Sequence, residues 1–178
     1  MERTLQVLDY AILVINGADG IQGHTETLWR LLERYQIPVF LFINKMDQAG
    51  TDKDKLIKEL KKRLNENCVD FSFSDIDGFN ESIAVCNEYV LEDFLENGTI
   101  ETEQISKMIK RRELFPCYFG SALKIIGVDE FMQGIVEYSE SVELSDTSTQ
   151  QFGAKVYKIS RDEQGNRLTY IKVTKWKY

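Results

Sequence analysis

The sequence is sparing with several residues. Two prolines, Pro38 and Pro116, and 11 glycines among 178 residues exclude a collagen-like chain and a Pro/Gly-rich disordered one. Three cysteines, Cys68, Cys86 and Cys117, lie far apart with no CxxC spacing. An odd, scattered set argues against a disulfide framework or a structural zinc site and fits a reducing compartment. The single histidine, His24, has no Cys or Asp constellation beside it in the sequence, so it does not read as a metal site. No apolar run approaches the ~18–20 residues of a membrane span. The start, Met1-Glu2-Arg3-Thr4-Leu5-Gln6, does not resemble a signal peptide. The expectation is a cytoplasmic protein with no membrane partner. An acidic balance, net −7, disfavours a general nucleic-acid coat.

What is present suffices for a folded domain. Hydrophobic residues make up 43% of the chain, and its length allows one domain or one domain and a remnant. The charge is uneven: residues 151–178 hold seven Lys/Arg against two Asp/Glu, leaving −12 for residues 1–150. Tyr10–Ile15 is a continuous apolar run stopped by Asn16-Gly17-Ala18-Asp19-Gly20, which predicts a strand buried on both faces. Thr25, Leu28, Leu31, Leu32 and Tyr35 follow at helical spacing, ending before Ile37-Pro38. Val39–Ile43 predicts a second buried strand, so the stretch reads as a βαβ unit. Asp52–Glu66 predicts a charged amphipathic helix. Val69–Phe73 alternates like an exposed strand, and residues 75–80 read as a turn or loop. Helices are expected over 88–96, 101–112 and 128–138, with a third strand at Phe115–Phe119. Residues 139–151 are polar and rich in Ser and Thr, as in a linker. Two alternating segments, 152–159 and 168–173, flank Asp162-Glu163-Gln164-Gly165-Asn166 and predict a β-hairpin. A hairpin alone is marginal in water, so this one reads as the start of something larger.

In an open α/β sheet, ligands bind at the carboxyl ends of the strands. Two such ends are Asn44-Lys45-Met46-Asp47 and Gly120-Ser121-Ala122. The first matches the NKxD base-recognition motif of GTP-binding proteins, and the second, 74 residues from Asp47 to Ser121, matches the SA motif of the same site. Guanine presents N1–H and a 2-amino group as adjacent donors, and one carboxylate, that of Asp47, can accept both. Adenine lacks that pair. Asn44 can both donate and accept, tying the loop together and approaching N7. The stem of Lys45 can cover the base while its ammonium stays wet. The Ala122 N–H can donate to O6, with Ser121 shaping the loop and Leu123 completing it. The bland alternative is that Asn44 and Asp47 merely cap the helix that begins near Asp52.

Leu8–Val14, Gly17–Trp29 and Ile37–Gly50 resemble the stretch after switch II in translational GTPases of the elongation factor G type. Leu91–Gly98, Glu113–Pro116, Phe119–Ala122 and Ile126–Asp129 resemble the tetracycline-resistance ribosomal protection proteins within that group. The 74-residue stretch lacks room for the large insertion of elongation factor G itself, which is the alternative. The resemblance implies an α/β fold: a partial P-loop-GTPase-like parallel sheet with flanking helices, then a hairpin from a truncated β-barrel. It implies the C-terminal part of a G domain at 1–138, a linker at 139–151 and the start of a second domain at 152–178. It implies GTP or GDP as ligand, the ribosome as partner, and GTP-dependent release of tetracycline by an intact protein.

The sequence carries no GxxxxGK[ST] phosphate cradle, no switch I threonine and no DxPG element. The Mg²⁺ ligands of the resembled family are therefore not in this stretch, and no catalytic residue is assigned. His24 aligns with a loop position where glutamine is usual, and reads as a surface or helix-start residue. Two DxxG strings, Asp75–Gly78 and Asp162–Gly165, read as turn chemistry. The expectation is a piece that reads guanine but not phosphate, binds nucleotide weakly if at all, and does not hydrolyse GTP. A different reading makes the basic 151–178 hairpin a non-catalytic module for ribosomal RNA.

Overall fold

The structure is a computed structural model that describes residues 2–72, 76–140 and 152–175. The chain falls into two compact units. One is Tyr10–Glu140; the other joins Met1–Asp9 to Ser141–Tyr178. Most of the segment expected as a linker, 141–151, lies outside the described residues.

In the larger unit, strands β1 (Ala11–Asn16), β2 (Val39–Asn44), β3 (Cys68–Asp70) and β4 (Phe115–Phe119) form one parallel sheet in the order β1-β2-β4-β3. The helices beside it are α2 (Gly23–Arg34), α3 (Lys53–Arg63), α4 (Ile76–Ala84), α5 (Glu88–Asn97), α6 (Thr102–Lys110) and α7 (Val128–Tyr138). The two central strands read VFLFI and FPCYF and are buried along their whole apolar length. Burial on both faces is what an uninterrupted apolar run needs. α2 seats Thr25, Trp29 and Leu32, and the Trp29 ring meets Phe115 edge-on at 4.8 Å. α3 seats Leu56 and Leu60. On another part of the core, Phe42, Tyr118 and Phe131 stack around α7, and Ile83, Ile105, Met108 and Ile109 bring in α4 and α6.

Three sequence expectations are corrected. β1 is not buried on both faces: side chains alternate along it, so Leu13 and Ile15 face the core while Ile12 and Val14, on the opposite face, are 50% and 57% exposed; β1 is also an edge strand among the described residues. Residues 69–72 are not an exposed strand, and Phe73, the last residue of that expectation, lies outside the described residues. Cys68–Asp70 form a short buried strand paired in register with Phe115–Cys117, giving the sheet a fourth member. The segment read as a turn or loop is largely helix α4, in which Gly78 is an ordinary helical residue. Phe79 and Ile83, four residues apart, supply its core-facing stripe. Asp75, with which that DxxG string begins, lies outside the described residues.

In the smaller unit, helix α1 (Glu2–Leu5) accompanies an antiparallel hairpin of β5 (Gly153–Arg161) and β6 (Arg167–Lys175). The Asp162 side chain accepts the amides of Gln164 and Asn166, and Gly165 takes φ 86°, so this DxxG string is turn chemistry. Lys155 and Lys172 face each other across the strands. Lys172 is relieved of that like-charge opposition by Asp9, 2.6 Å away, and by the Val7 carbonyl.

Candidate functional site

The site lies at the carboxyl ends of β1, β2 and β4. β1 runs into Gly17, whose N–H donates to the Asn44 carbonyl at 2.7 Å. A side chain there would stand 2.9 Å from the Met46 sulfur, so the two loops approach as closely as glycine permits. β2 ends at Asn44, and Lys45 then takes a left-handed φ of 63°, turning the chain sharply. β4 ends at Gly120, whose N–H donates to the Ile43 carbonyl at 2.9 Å, while its own carbonyl accepts the Met46 N–H at 3.0 Å.

The loop after β4 is tightly closed. Ser121 and Ile126 exchange both backbone hydrogen bonds, at 2.9 and 3.0 Å. A Cβ on Gly120 would lie 2.1 Å from the Ile126 carbonyl oxygen, so only glycine admits this crossing. At the tip, Ile125 adopts φ 58°, a costly conformation for a β-branched residue. Ser121 is buried, whereas Leu123 is 93% exposed.

Of the residues expected to read a base, Asn44 and Ala122 are brought together, as are Asp47 and Ser121, while the Lys45 and Leu123 side chains are exposed. The Asn44 Oδ1 accepts the N–H of Lys45 at 2.8 Å and the N–H of Ala122 at 2.9 Å, across 78 residues of sequence. Asn44 is thus a tie between the two loops, made through its acceptor oxygen. The Ala122 N–H, expected to serve O6 of guanine, is engaged by Asn44. Neither Asn44 nor Asp47 caps α3: that role belongs to Asp52, whose carboxylate accepts the Lys55 N–H at 3.1 Å. The Asp47 carboxylate is instead held between the Ser121 hydroxyl and the Lys124 ammonium, the latter 3.1 Å away. The Ser121 hydrogen bond first, and Lys124 second, keep Asp47 below the usual carboxylate range. Lys124 is a participant that the motif did not announce. Its approach depends on the tight 121–126 turn, which no glycine or proline inside the loop signals.

His24 is exposed near the start of α2, as expected. Burial raises the Cys86 thiol to about 11 and pushes Cys117 up as well, so neither thiol ionises near neutrality. Among the described residues, no three His, Cys, Asp or Glu side chains are grouped to hold a metal ion. No helix there is long and apolar enough to cross a membrane.

With this geometry in view, residues 1–141 match the family described as "Elongation factor Tu GTP binding domain". The chain belongs to that family. A crystal structure of a protein from Thermus thermophilus has a similar fold, with a TM-score of 0.76 at 19% sequence identity. The alignment covers 98% of this chain and 33% of that one, so the chain spans about a third of the length of the protein it resembles.

Proposed function

We propose that Asn44, Lys45, Asp47, Ser121, Ala122 and Leu123 are the guanine-reading part of a nucleotide site in a ribosome-associated translational GTPase. The observation that carries this reading is the Asn44–Ala122 tie, which joins the NKxD loop to the SA loop at one end of the sheet. Asp47 accepts the guanine N1–H and 2-amino donors together, the Lys45 stem covers the base, and Leu123 borders it. The Ala122 N–H turns from Asn44 to O6 when the base is present. Residues 1–138 then represent the C-terminal part of a G domain, 139–151 a linker, and 152–178 the start of a β-barrel domain. GTP or GDP is the ligand and the ribosome the partner, in the cytoplasm. The sequence has no GxxxxGK[ST] phosphate cradle, so no hydrolytic step is assigned to this chain.

Within that group, the residue pattern of 91–98, 113–116, 119–122 and 126–129 favours a tetracycline-resistance ribosomal protection protein over elongation factor G. The 74 residues from Asp47 to Ser121 favour the same choice. The charge of residues 151–178 supports a second reading, in which the hairpin contacts ribosomal RNA.

The test of the site is an NMR titration of the chain with GMP and, separately, AMP at millimolar concentration. GMP should shift the amides of 44–47 and 120–124 saturably, and AMP should not. Equal shifts with both nucleotides, or shifts elsewhere only, would refute the assignment.

A further inference from the structure

The polar groups assigned to the base edge already have partners within the chain. Asn44 Oδ1 holds the Ala122 N–H, and Asp47 holds Lys124 and the Ser121 hydroxyl. The ammonium lies 3.1 Å from Asp47 Oδ2, one of the two carboxylate oxygens that the guanine donors would share, so it contends with them for that oxygen. We infer that Lys124 is an internal competitor for the base: its ammonium holds the Asp47 carboxylate until guanine binds and displaces it. This deepens the base-reading proposal and rests on it.

Several features make Lys124 suited to the part. It sits in the 121–126 loop, whose crossed backbone hydrogen bonds and left-handed Ile125 hold the chain close to the NKxD loop. Its side chain is 55% exposed against 23% for Asp47, so the ammonium can leave to water while the carboxylate stays in place. The Lys124 N–H donates to the Ser121 carbonyl at 3.2 Å, so the backbone need not move when the side chain does. Binding is then an exchange, with one charge-assisted contact on Asp47 replaced by two donors from the base edge. The lysine also keeps Asp47 from standing unpaired, and it rejects a ligand that offers no donor pair strong enough to replace it.

An exposed ion pair of this kind contributes modestly, so the effect is a small multiple in affinity. Lys124→Met keeps most of the aliphatic stem and removes the charge. GMP should bind Lys124→Met about two- to fivefold more tightly than the parent chain, read from amide shifts at 44–47. In an Asp47→Asn background, Lys124→Met should make no difference to GMP. A Lys124→Met chain that binds GMP equally or more weakly, while Asp47→Asn still loses it, overturns the competition and leaves the base-reading site intact. The same gain in both backgrounds also overturns it, because the lysine would then act without Asp47. If no variant gives a saturable shift, the base-reading proposal itself fails, and this inference with it.

Discussion

The two sheets of this protein are built from strands of different pattern and end up in opposite environments: β2 and β4 are continuous apolar runs, whereas β5 and β6 alternate apolar residues with charged and polar ones. β2 and β4 lie in the middle of a four-stranded parallel sheet with helices packed beside it, and residues such as Val39, Leu41 and Ile43 are fully buried. β5 and β6 hold Val156, Ile159, Leu168, Tyr170 and Ile171, all of them exposed. Cover makes the difference. The first sheet has α2, α3, α6 and α7 against it, whereas within its own unit the hairpin has only α1 among the described residues. Strand propensity alone makes a ladder; burial makes it stable. The site follows the same rule, since the loops that hold Asn44 and Ser121 are anchored to the buried strands and not to the hairpin.

The sharpest way to break this comparison is to remove one large side chain from each sheet. Phe40→Ala should destabilise the 10–140 unit by about 3–5 kcal/mol in urea unfolding. Ile159→Ala should change little, within about 0.5 kcal/mol. Similar losses would mean that the hairpin is as well packed as the sheet. Next in size is Gly120→Ala, which forces a Cβ against the Ile126 carbonyl. It should cost about 1–3 kcal/mol and shift the amides of 121–127, with the hairpin spectrum unchanged. Asp52→Ala removes the α3 cap and should cost about 1 kcal/mol, seen as faster amide exchange in the first turn of α3. In the hairpin unit, Asp9→Asn loses the Lys172 pair and should cost no more than about 1 kcal/mol, loosening α1 alone.

The smallest effect concerns pH. Asp47 titrates below its ordinary range because it is hydrogen-bonded and ion-paired in the fold. Its contribution to stability is therefore complete above about pH 4 and is lost as pH falls through the lower folded value. A carboxyl NMR titration should show Ser121→Ala and Lys124→Met each raising the Asp47 pKa. An unchanged pKa in either variant would remove that residue from the groups that hold the carboxylate.

Much of this was legible in the residues, for reasons that also explain what was not. Val39–Ile43 announces a central strand because nothing but apolar side chains can fill both faces. Tyr10–Ile15 carries the same signal and yet forms an edge strand, since apolarity does not say how many neighbours a strand has. Cys68–Asp70 is too short to show a period and owes its burial to pairing with β4. α4 was hidden because Asp77, Gly78, Asn80 and Ser82 are turn-forming residues, outweighed there by the packing of Phe79 and Ile83. At the site, the NKxD and SA strings mark the loops that meet. The Asp47–Lys124 pair was not visible, because it is made by a turn in which Ile125 adopts a conformation no sequence rule assigns to isoleucine.

The central claim is that Asp47 reads guanine, and exchanging its donor–acceptor character tests it most directly. The parent chain and Asp47→Asn would each be titrated with GMP and with xanthosine monophosphate, following the amides of 44–47 and 120–124. The account predicts that the parent prefers GMP and that Asp47→Asn prefers xanthosine monophosphate, whose 2-oxo group accepts from the new amide. An unchanged preference in Asp47→Asn would contradict it.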